Sequence, residues 1–345
     1  MFEPQRAFDT TWLFSTKKET AYGTALADAN LNRRVVAAAV EVGKISKTFR
    51  SDLERFGKGH EFSTELEEVA RDLRRATTFD ASSLTLAWAA AFAMGKVATT
   101  QPNPGGNPTA YNHLITFADA AVTKHAPTTT VYEELTADLK RRLVSLACND
   151  FTLSGRARDP VQLAAHWIGA GSTTDGALTP LPALTLLSFF LGADTDILLG
   201  AQGTPVSLKD RVLDWRLSVS QNLEADQGYH PGSGKFRGRL WYGARRVSAA
   251  LTFFAKQTDD LVTLFLSDTL RELKIILTGD AIGPGPETHK AVIKLPAVRV
   301  TALEDALEGR HIVYRVEIGE AGVLKQTGAE PLEITVTNTE PTFLT

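Results

Sequence analysis

The sequence predicts a mainly β fold organised as two similar domains, each with one packed helix. Three observations support this class: many segments alternate apolar and polar residues, one segment has clear helical spacing, and a stretch of the first half recurs in the second. We predict a first domain over residues 1–172 with a helix at 80–95, and a second over 183–345 with a helix at 258–270. Residues 172–182, rich in Thr, Gly and Pro, are the predicted linker.

The recurring stretch is the main evidence for two domains. A shift of 174 positions places Phe62–Phe79 on Phe236–Phe253 without a gap, and seven of the 18 aligned pairs are identical. Both windows have a strand-like pattern and precede a helix-like segment. The repeat-marking residues expected in the core are Phe62, Leu66, Ala70, Ala76 and Phe79 in the first window, and Phe236, Leu240, Ala244, Ala250 and Phe253 in the second. An offset near half the chain, with the same order of elements, is typical of a duplicated domain.

The clearest single element is the first helix, predicted over Asp80–Gly95. Leu84, Trp88 and Phe92 recur every four residues, which places them on one face of a helix. Ser82 is a candidate N-cap together with Asp80, and Gly95 is placed to end the helix. We expect Trp88 to pack in the core.

The other elements follow from alternation, glycine and proline content. In the first half these are a strand or extended arm at Thr11–Tyr22, a strand pair at Asn32–Lys47 bent at Gly43, a flexible loop at Phe56–His60, an exposed loop at Thr99–Asn112, and strands at Leu139–Gly155 and Val161–Gly169. In the second half they are a strand at Asp214–Leu223, a glycine-rich loop at Gly228–Gly234, a strand at Phe236–Ala255, and, after the helix, strands at Leu273–Leu277, Ala291–Thr301, His311–Ile318 and Leu332–Asn338.

Composition narrows the function classes. The chain has 345 residues, 43% of them hydrophobic, which is enough for a large core. The net charge of −3 argues against tight binding of nucleic acid, which needs a basic surface. Cys148, the only cysteine, is expected to be a buried thiol and excludes an internal disulfide. The longest apolar run, Leu181–Gly192, is shorter than the ~20 residues of a membrane helix, so no membrane partner is expected.

No pattern of catalytic residues emerges. The seven histidines are scattered, and no two stand at metal-ligand spacing. The acidic pairs Glu67–Glu68, Glu133–Glu134 and Asp259–Asp260 are expected on solvated faces, because adjacent side chains on an element point apart. The basic clusters Arg74–Arg75, Lys140–Arg142 and Arg245–Arg246 are expected to form salt bridges on a subunit surface. We therefore predict no enzyme and no catalytic, cofactor or metal site.

Several segments resemble a known family. Lys17–Ala25, with the letters KETAYGTA after its first lysine, is similar to the start of many tail tube proteins of phages with long, non-contractile tails. Further segments resemble other parts of that family; these are Glu61–Glu65 with Arg71–Leu73, the helix Phe79–Gly95, Leu139–Leu143 with Asn149–Gly155, Leu295–Val300, and Ile334–Asn338. The resemblance covers most of the chain.

The resemblance implies a fold and a role. It implies a pair of β-sandwich domains of the tail tube type, whose strands join edge to edge between subunits into a barrel around a lumen. Rings of this kind stack into a tube through which DNA passes transiently and without sequence preference. The expected partners are further copies of the chain and other tail proteins, namely the tape measure, the tail terminator and the distal tail protein. The expected location is the virion tail, with the host cytoplasm before assembly.

The duplication refines the expected assembly. A ring of single tube domains needs six chains, whereas three chains with two domains each would form a trimeric, pseudo-hexameric ring; a hexameric ring is the alternative. The candidate ring-stacking residues are Phe56, Gly57, Lys58, Gly59 and His60 in the first half and Gly228, Tyr229, His230, Gly232 and Gly234 in the second. These two loops occupy matching places in the repeat.

Other functions remain open from the sequence. The nearest is a tail-end protein of the same fold that initiates or terminates the tube, or the tube of a phage-derived secretion device. From other classes come a hydrolase with an active site built from distant residues and a monomeric β-sandwich binding module. Substitution of His113, His166 and His289 would test the hydrolase, and the binding module would need a concentrated aromatic patch.

Overall fold

In the residues that the structure describes, two β-sheets enclose an α-helix. The computed structural model describes residues 10–37, 39–41, 45–51, 66–134, 140–175, 181–256 and 269–345. Within these residues the large sheet has 13 strands and the small sheet has seven. The predicted mainly β class is confirmed.

The described elements follow in chain order. They are β1 (Thr11–Phe14), β2 (Arg33–Val36), β3 (Ala39–Glu41), β4 (Ile45–Ser51), β5 (Leu66–Asp80), α1 (Ser83–Met94), β6 (Gly95–Thr100), β7 (Tyr111–Phe117), β8 (Thr129–Glu134), β9 (Lys140–Arg156), β10 (Gln162–Gly169), β11 (Thr173–Asp175), β12 (Thr195–Ala201), β13 (Thr204–Ser207), β14 (Val212–Ser220), β15 (Arg246–Phe254), β16 (Arg271–Ala281), β17 (Thr288–Val298), β18 (Ala302–Glu308), β19 (His311–Ile318) and β20 (Glu333–Asn338).

The strand order of the large sheet separates the two halves of the chain. Its main path is β18-β19-β15-β14-β9-β10-β5-β3, and β4 continues beside β5 next to β3. The second-half strands therefore form one block and the first-half strands another, joined by the antiparallel ladder between β9 and β14. The remaining short strands, β1, β2, β8 and β11, belong to the first half.

The small sheet has the same arrangement. Its order is β13-β12-β16-β17-β20-β7-β6, so five second-half strands are followed by two from the first half. The ladder between β20 and β7 joins the blocks. The two halves thus share both sheets, and the division into tandem domains at residues 172–182 stays a prediction.

Helix α1 lies in the core between the sheets. All twelve of its residues are buried, and it contacts β9 and β10 of the large sheet and β6, β7, β17 and β20 of the small sheet. A helix that is apolar on every side is stable only when it is covered on every side. Trp88 stacks on Phe14 at 4.0 Å and on Trp167 at 4.5 Å between ring centroids, which confirms its predicted place in the core.

The ends of α1 agree with the prediction. The Ser82 hydroxyl accepts a hydrogen bond from the Thr85 N–H, and the Thr85 hydroxyl lies within hydrogen-bond distance of the Ser82 N–H, which makes a capping box. Gly95 has φ of 85° and ends the helix in the left-handed conformation, which glycine adopts without a steric cost. The chain then turns directly into β6.

One predicted strand is wrong over half its length. Phe236–Ala255 was expected to be extended throughout, but the strand begins only at Arg246. Residues 236–245 are irregular, and their backbone bonds to other loops: the Gly238 N–H donates to Gly228 and the Gly243 N–H to Gln221. Both glycines lie so close to a neighbouring group that a Cβ would collide. The close packing of this segment, which needs glycine, replaces strand pairing.

Other predictions need smaller corrections. The predicted loop Thr99–Asn112 is confirmed at its centre, but its ends belong to β6 and β7. The predicted linker begins with β11, which pairs with β9. Strands β8, β12, β13 and β18 were not predicted, because their alternation is weak. The loop Phe56–His60 and Phe62 lie outside the described residues, as do residues 176–180 of the linker and nearly all of the predicted helix 258–270.

Candidate assembly surface

The glycine-rich loop of the second half docks on the first half. The Tyr229 hydroxyl donates to the Arg71 carbonyl at 2.6 Å, and the Arg71 N–H donates to the Lys235 carbonyl at 2.9 Å. Both contacts are on β5, just after residues 52–65. The loop Gly228–Gly234 therefore lies beside the paired strands β4 and β5, at the part of the ladder where Lys47 pairs with Arg71.

Arg237 anchors this loop. Its side chain is 1% exposed, and its guanidinium donates to the carbonyls of Ala225 and Gly169 and to the Asp72 carboxylate, at 2.9, 3.0 and 2.6 Å. Partial burial favours the neutral acid, but hydrogen bonds from Arg237 and Arg74 prevail and lower the pKa of Asp72. The Tyr229 ring lies 5.2 Å from the Arg237 guanidinium carbon. A buried, fully engaged guanidinium holds both sides of the contact in one geometry.

A second ionic contact closes the loop on β5. The Glu68 carboxylate lies 2.8 Å from Arg71 Nε and 3.2 Å from Lys235 Nζ. The hydrogen bond from Arg71, assisted by Lys235, lowers the pKa of Glu68 to about 2. In the predicted solvated pair Glu67–Glu68, Glu67 is exposed and the Glu68 side chain is partly exposed, at 15%.

The predicted stacking residues of this loop divide into two groups. Gly228 is buried and Tyr229 is half-buried, so these two residues anchor the loop. His230, Gly232 and Gly234 are exposed, and a short 3-10 turn over Pro231–Ser233 shapes them into a tip. A contact with another copy is thus available only to the second group.

The repeat-marking residues are also divided. Ala70, Ala76 and Phe79 lie on β5, and Ala250 and Phe253 lie on β15, with both phenylalanines buried in the main core. Leu66 begins β5. Phe236, Leu240 and Ala244 lie on the irregular segment, and Leu240 is buried in a separate small cluster. Only the second part of the aligned windows has the same local structure in both halves.

The N-terminal motif is held to the rest of the fold through the buried carboxylate of Glu19, and we call this set of hydrogen bonds the clasp. Glu19 is 7% exposed and accepts hydrogen bonds from the hydroxyls of Thr128, Thr130 and Ser145 and from the Ser145 N–H, at 2.5–2.9 Å. The Gly23 N–H donates to the Ser145 hydroxyl, and the Leu26 N–H donates to the Thr130 hydroxyl. Residues 19–26 are thereby fastened to β8 and β9. Glu19 and Gly23, the E and G of the KETAYGTA motif, therefore have a structural role.

The free edges of the sheets are the remaining candidate contacts. Within the described residues, β18 pairs only with β19 and β4 only with β5, at opposite ends of the large sheet. The edges of the small sheet are β13 and β6. Unpaired edge strands offer free N–H and C=O groups to another chain. Sequence reasoning missed β18 as an edge because its residues, ALEDALE, lack strand alternation.

The basic and acidic clusters are mostly structural. Arg246 pairs with Glu320 on the surface, and Lys140 pairs with Glu134, as predicted for a salt-bridged face. Two residues depart from the predictions, because Arg75 and Glu133 are both completely buried and lie 2.5 Å apart. The expected surface position of Arg75 and the expected solvated position of Glu133 are therefore wrong, since β8 passes between β1 and β9 and turns the Glu133 side chain inward.

The histidines considered for catalysis have separate structural partners. His113 is buried between Thr99 and Asn338, His289 contacts Ser83, and exposed His166 contacts Asp150. Burial lowers the pKa of His113 and of His289. In the described part of the chain, no three metal-binding side chains are grouped to hold an ion. Cys148 is buried, as predicted.

The described helix is too short to span a membrane, and no other described helix is long and apolar enough to do so. A comparison with curated proteins found no match. A family model described as phage tail tube protein matches residues 13–302, well over half of the chain. The chain belongs to the phage tail tube protein family.

Membership in this family defines the broad role of the molecule. A tail tube protein is a structural component of the virion tail, which associates with copies of itself and with other tail proteins. The matched residues include three segments from which the resemblance was inferred: the Lys17–Ala25 motif, the helix, and the segment 295–300 at the end of β17. In this tail tube protein the free sheet edges and the exposed loop tip are therefore candidate contacts between copies.

Proposed function

We propose that this protein polymerises into stacked rings that form the tail tube, and that DNA passes through the lumen into the host. The observation that carries the proposal is the open large sheet, which within the described residues ends at β18 on one side and at β3 and β4 on the other. Such edges are a hazard for a monomer, and closing the sheet through further copies removes them. The net charge of −3 suits a channel in which DNA slides without adhering.

The proposed ring contains three chains. Each chain offers two four-strand blocks to the large sheet, β4-β5-β10-β9 and β14-β15-β19-β18. Backbone pairing supports their equivalence: Ile45 pairs with Leu73, and Val219 pairs with Val247. Both residues of the second pair lie 174 positions after those of the first, which is the offset found in the sequence. Three chains then supply six blocks.

Ring stacking is assigned to the predicted loops Phe56–His60 and Gly228–Gly234. The exposed tip of the second loop, at His230, Gly232 and Gly234, is held in place by Arg237 and Glu68. A loop that is rigid at its base and exposed at its tip can contact the next ring without a large loss of conformational entropy. Replacing Phe56–His60 with a short Gly-Ser linker is expected to prevent polymerisation while the fold is retained. Unchanged tubes would exclude this role.

Negative-stain electron microscopy of the concentrated protein tests the proposal. Hollow rings or tubes with three copies per ring are the expected result. Six identical chains per ring would exclude the trimer, while persistent monomers, even with tail tips as seeds, would exclude polymerisation. A tail-end protein is the second candidate, because it would share the same fold. Counting copies per purified particle separates a tube subunit from a tail-end protein, which forms a single ring.

The location before assembly is proposed to be the host cytoplasm. Cys148, whose buried thiol has a raised pKa, is compatible with a reducing compartment. The tape measure, tail terminator and distal tail proteins are the proposed further partners.

A further inference from the structure

The ladder in the middle of the large sheet provides a template for the contact between copies. There β9 of the first half runs antiparallel to β14 of the second, with Phe151 opposite Val219. These two side chains are 0% and 1% exposed. The two blocks are therefore joined by a continuous β-ladder, in which the paired side chains of Phe151 and Val219 are buried.

Strand β18 occupies in the second block the place that β9 occupies in the first. In the first block one row of paired residues runs Thr77, Ala165, Phe151 across β5, β10 and β9. In the second block the corresponding row runs Leu251, Val316, Leu303 across β15, β19 and β18. Leu251 follows Thr77 by 174 positions, so the two rows start at equivalent residues. Leu303 is thus the counterpart of Phe151.

Strand β4 likewise corresponds to β14. Ile45 pairs with Leu73, and the equivalent pair 174 positions later is Val219 with Val247. Ile45 is thus the counterpart of Val219. The outer strands β18 and β4 are therefore equivalent to β9 and β14, which pair with each other inside one chain.

Leu303 and Ile45 are less buried than Phe151 and Val219. Leu303 and Ile45 both pack against the main core, yet each remains only partly buried at its free edge. Covering such apolar surface contributes about 25 cal/mol for each Å² removed from water. Joining the edges would bury both residues and supply partners for the free backbone groups of both strands.

We infer that β18 of one copy pairs antiparallel with β4 of the next copy, with Leu303 opposite Ile45 and Ala302 opposite Ser46. This inference rests on the proposed polymerisation and names the strands and the register through which it occurs. Because the two edges are different surfaces of the chain, the contact is head-to-tail, and repetition of such a contact generates a ring when the rotation closes.

Disulfide trapping in assembled tubes tests this register. Ile45→Cys and Leu303→Cys are made as two separate proteins, mixed in equal amounts, assembled and oxidised. Cys148 can remain, because it is buried and burial raises the pKa of its thiol. The mixture is expected to form covalent dimers, whereas each variant alone forms none. The control is Asp305→Cys mixed with Ile45→Cys, which shifts the register by two residues along the same face.

Cross-linking of the in-register mixture is expected to exceed that of the shifted mixture by about tenfold, because Cα atoms more than ~7 Å apart cannot be bridged without backbone movement. The adjacent rung, Ala302→Cys with Ser46→Cys, provides a second pair if a variant at a core position fails to fold. Since hydrogen-bonded and non-hydrogen-bonded rungs alternate, one of the two has the closer Cα spacing.

The outcomes separate the two levels of the proposal. Tubes that form normally but cross-link at neither rung, or that cross-link equally with the shifted pair, would overturn the register and leave polymerisation intact. Cross-linking of a single variant with itself would show a symmetric contact and would also overturn the inferred pairing of β18 with β4. Failure of the unmodified chain to form rings or tubes, judged by electron microscopy, would overturn polymerisation and the inference with it.

Discussion

The Arg75 guanidinium lies 2.5 Å from the Glu133 carboxylate, and neither side chain is exposed to solvent. Arg141 approaches the same carboxylate at 3.2 Å from the solvent side. Burial raises the pKa of Glu133, and the two guanidinium groups oppose that rise. The pair joins β5 to β8, which lie on different branches of the large sheet.

Loss of the negative charge in this pair is expected to destabilise the fold. Glu133→Gln leaves Arg75 buried without a counter-charge, which should lower the free energy of unfolding by about 3–5 kcal/mol. Glu320→Gln is the control, since the Glu320 side chain is 52% exposed in its surface pair with Arg246 and its removal should cost less than about 1 kcal/mol. Urea denaturation measures both. Equal losses for the two variants would contradict the argument.

Replacement of both buried partners should be milder than replacement of one. Among the described residues, two buried nitrogens of Arg75 and one buried oxygen of Glu133 have no hydrogen-bond partner, so the pair is only partly satisfied. The double variant Arg75→Met/Glu133→Leu is therefore expected to be more stable than Glu133→Gln, because an apolar pair carries no desolvation cost. A double variant as unstable as the single one would show that the pair is needed for packing.

The clasp around Glu19 is expected to hold the N-terminal segment. Glu19→Ala removes the acceptor of four hydrogen bonds and leaves buried donors unpaired, which should cost about 3 kcal/mol. The same change should expose the Lys17 and Lys18 peptide bonds to trypsin. Thr20→Ala, at an exposed neighbour, is the control and should change neither stability nor cleavage. An unchanged trypsin pattern in Glu19→Ala would count against the clasp.

The contact of Glu68 with Arg71 and Lys235 should make stability depend on acid pH. The folded pKa of about 2 lies below the ordinary value of 4.5, so the ionised carboxylate favours the folded state. Its contribution is complete above pH 4.5 and is lost as the pH falls through that value toward 2.

Melting temperatures of the native chain and of Glu68→Gln measure this effect. The native chain should melt at the higher temperature at pH 7, and the difference should shrink below pH 4.5. Glu308→Gln, at an exposed glutamate of β18, serves as the control and should follow the native curve. A difference that stays constant down to the lowest pH would indicate that the charge is not responsible.

Any side chain at position 95 should destabilise the fold. The φ of 85° at Gly95 strains any other residue, and an added Cβ would collide with the Tyr242 hydroxyl. Gly95→Ala is expected to lower the free energy of unfolding by about 1–2 kcal/mol or more. Adding Tyr242→Phe should restore part of that loss by removing the colliding oxygen. Gly105→Ala is the control and should be nearly neutral, because a Cβ at that position would meet open space. Thermal denaturation measures the stability of all three variants.

The sequence by itself determined the class of the fold and its strongest local elements. Alternation predicted β9 and β10 closely, because long strands carry many repeats of the pattern. Capping residues and four-residue spacing predicted α1 to within a few residues, because caps act through neighbours in the chain. The offset of 174 positions was visible as identical residues, and the lysine, glutamate and glycine motif near the start indicated the family.

Only the tertiary structure decided which strands are neighbours and which charges are buried. The pairing of β9 with β14 and the free edges at β18 and β4 depend on contacts between residues far apart in the sequence. The irregular path of residues 236–245 arises from close packing against other loops, which overrides local strand preference. Glu133 reads like a surface glutamate until β8 turns it toward Arg75, because burial belongs to a position in the fold and not to a residue type.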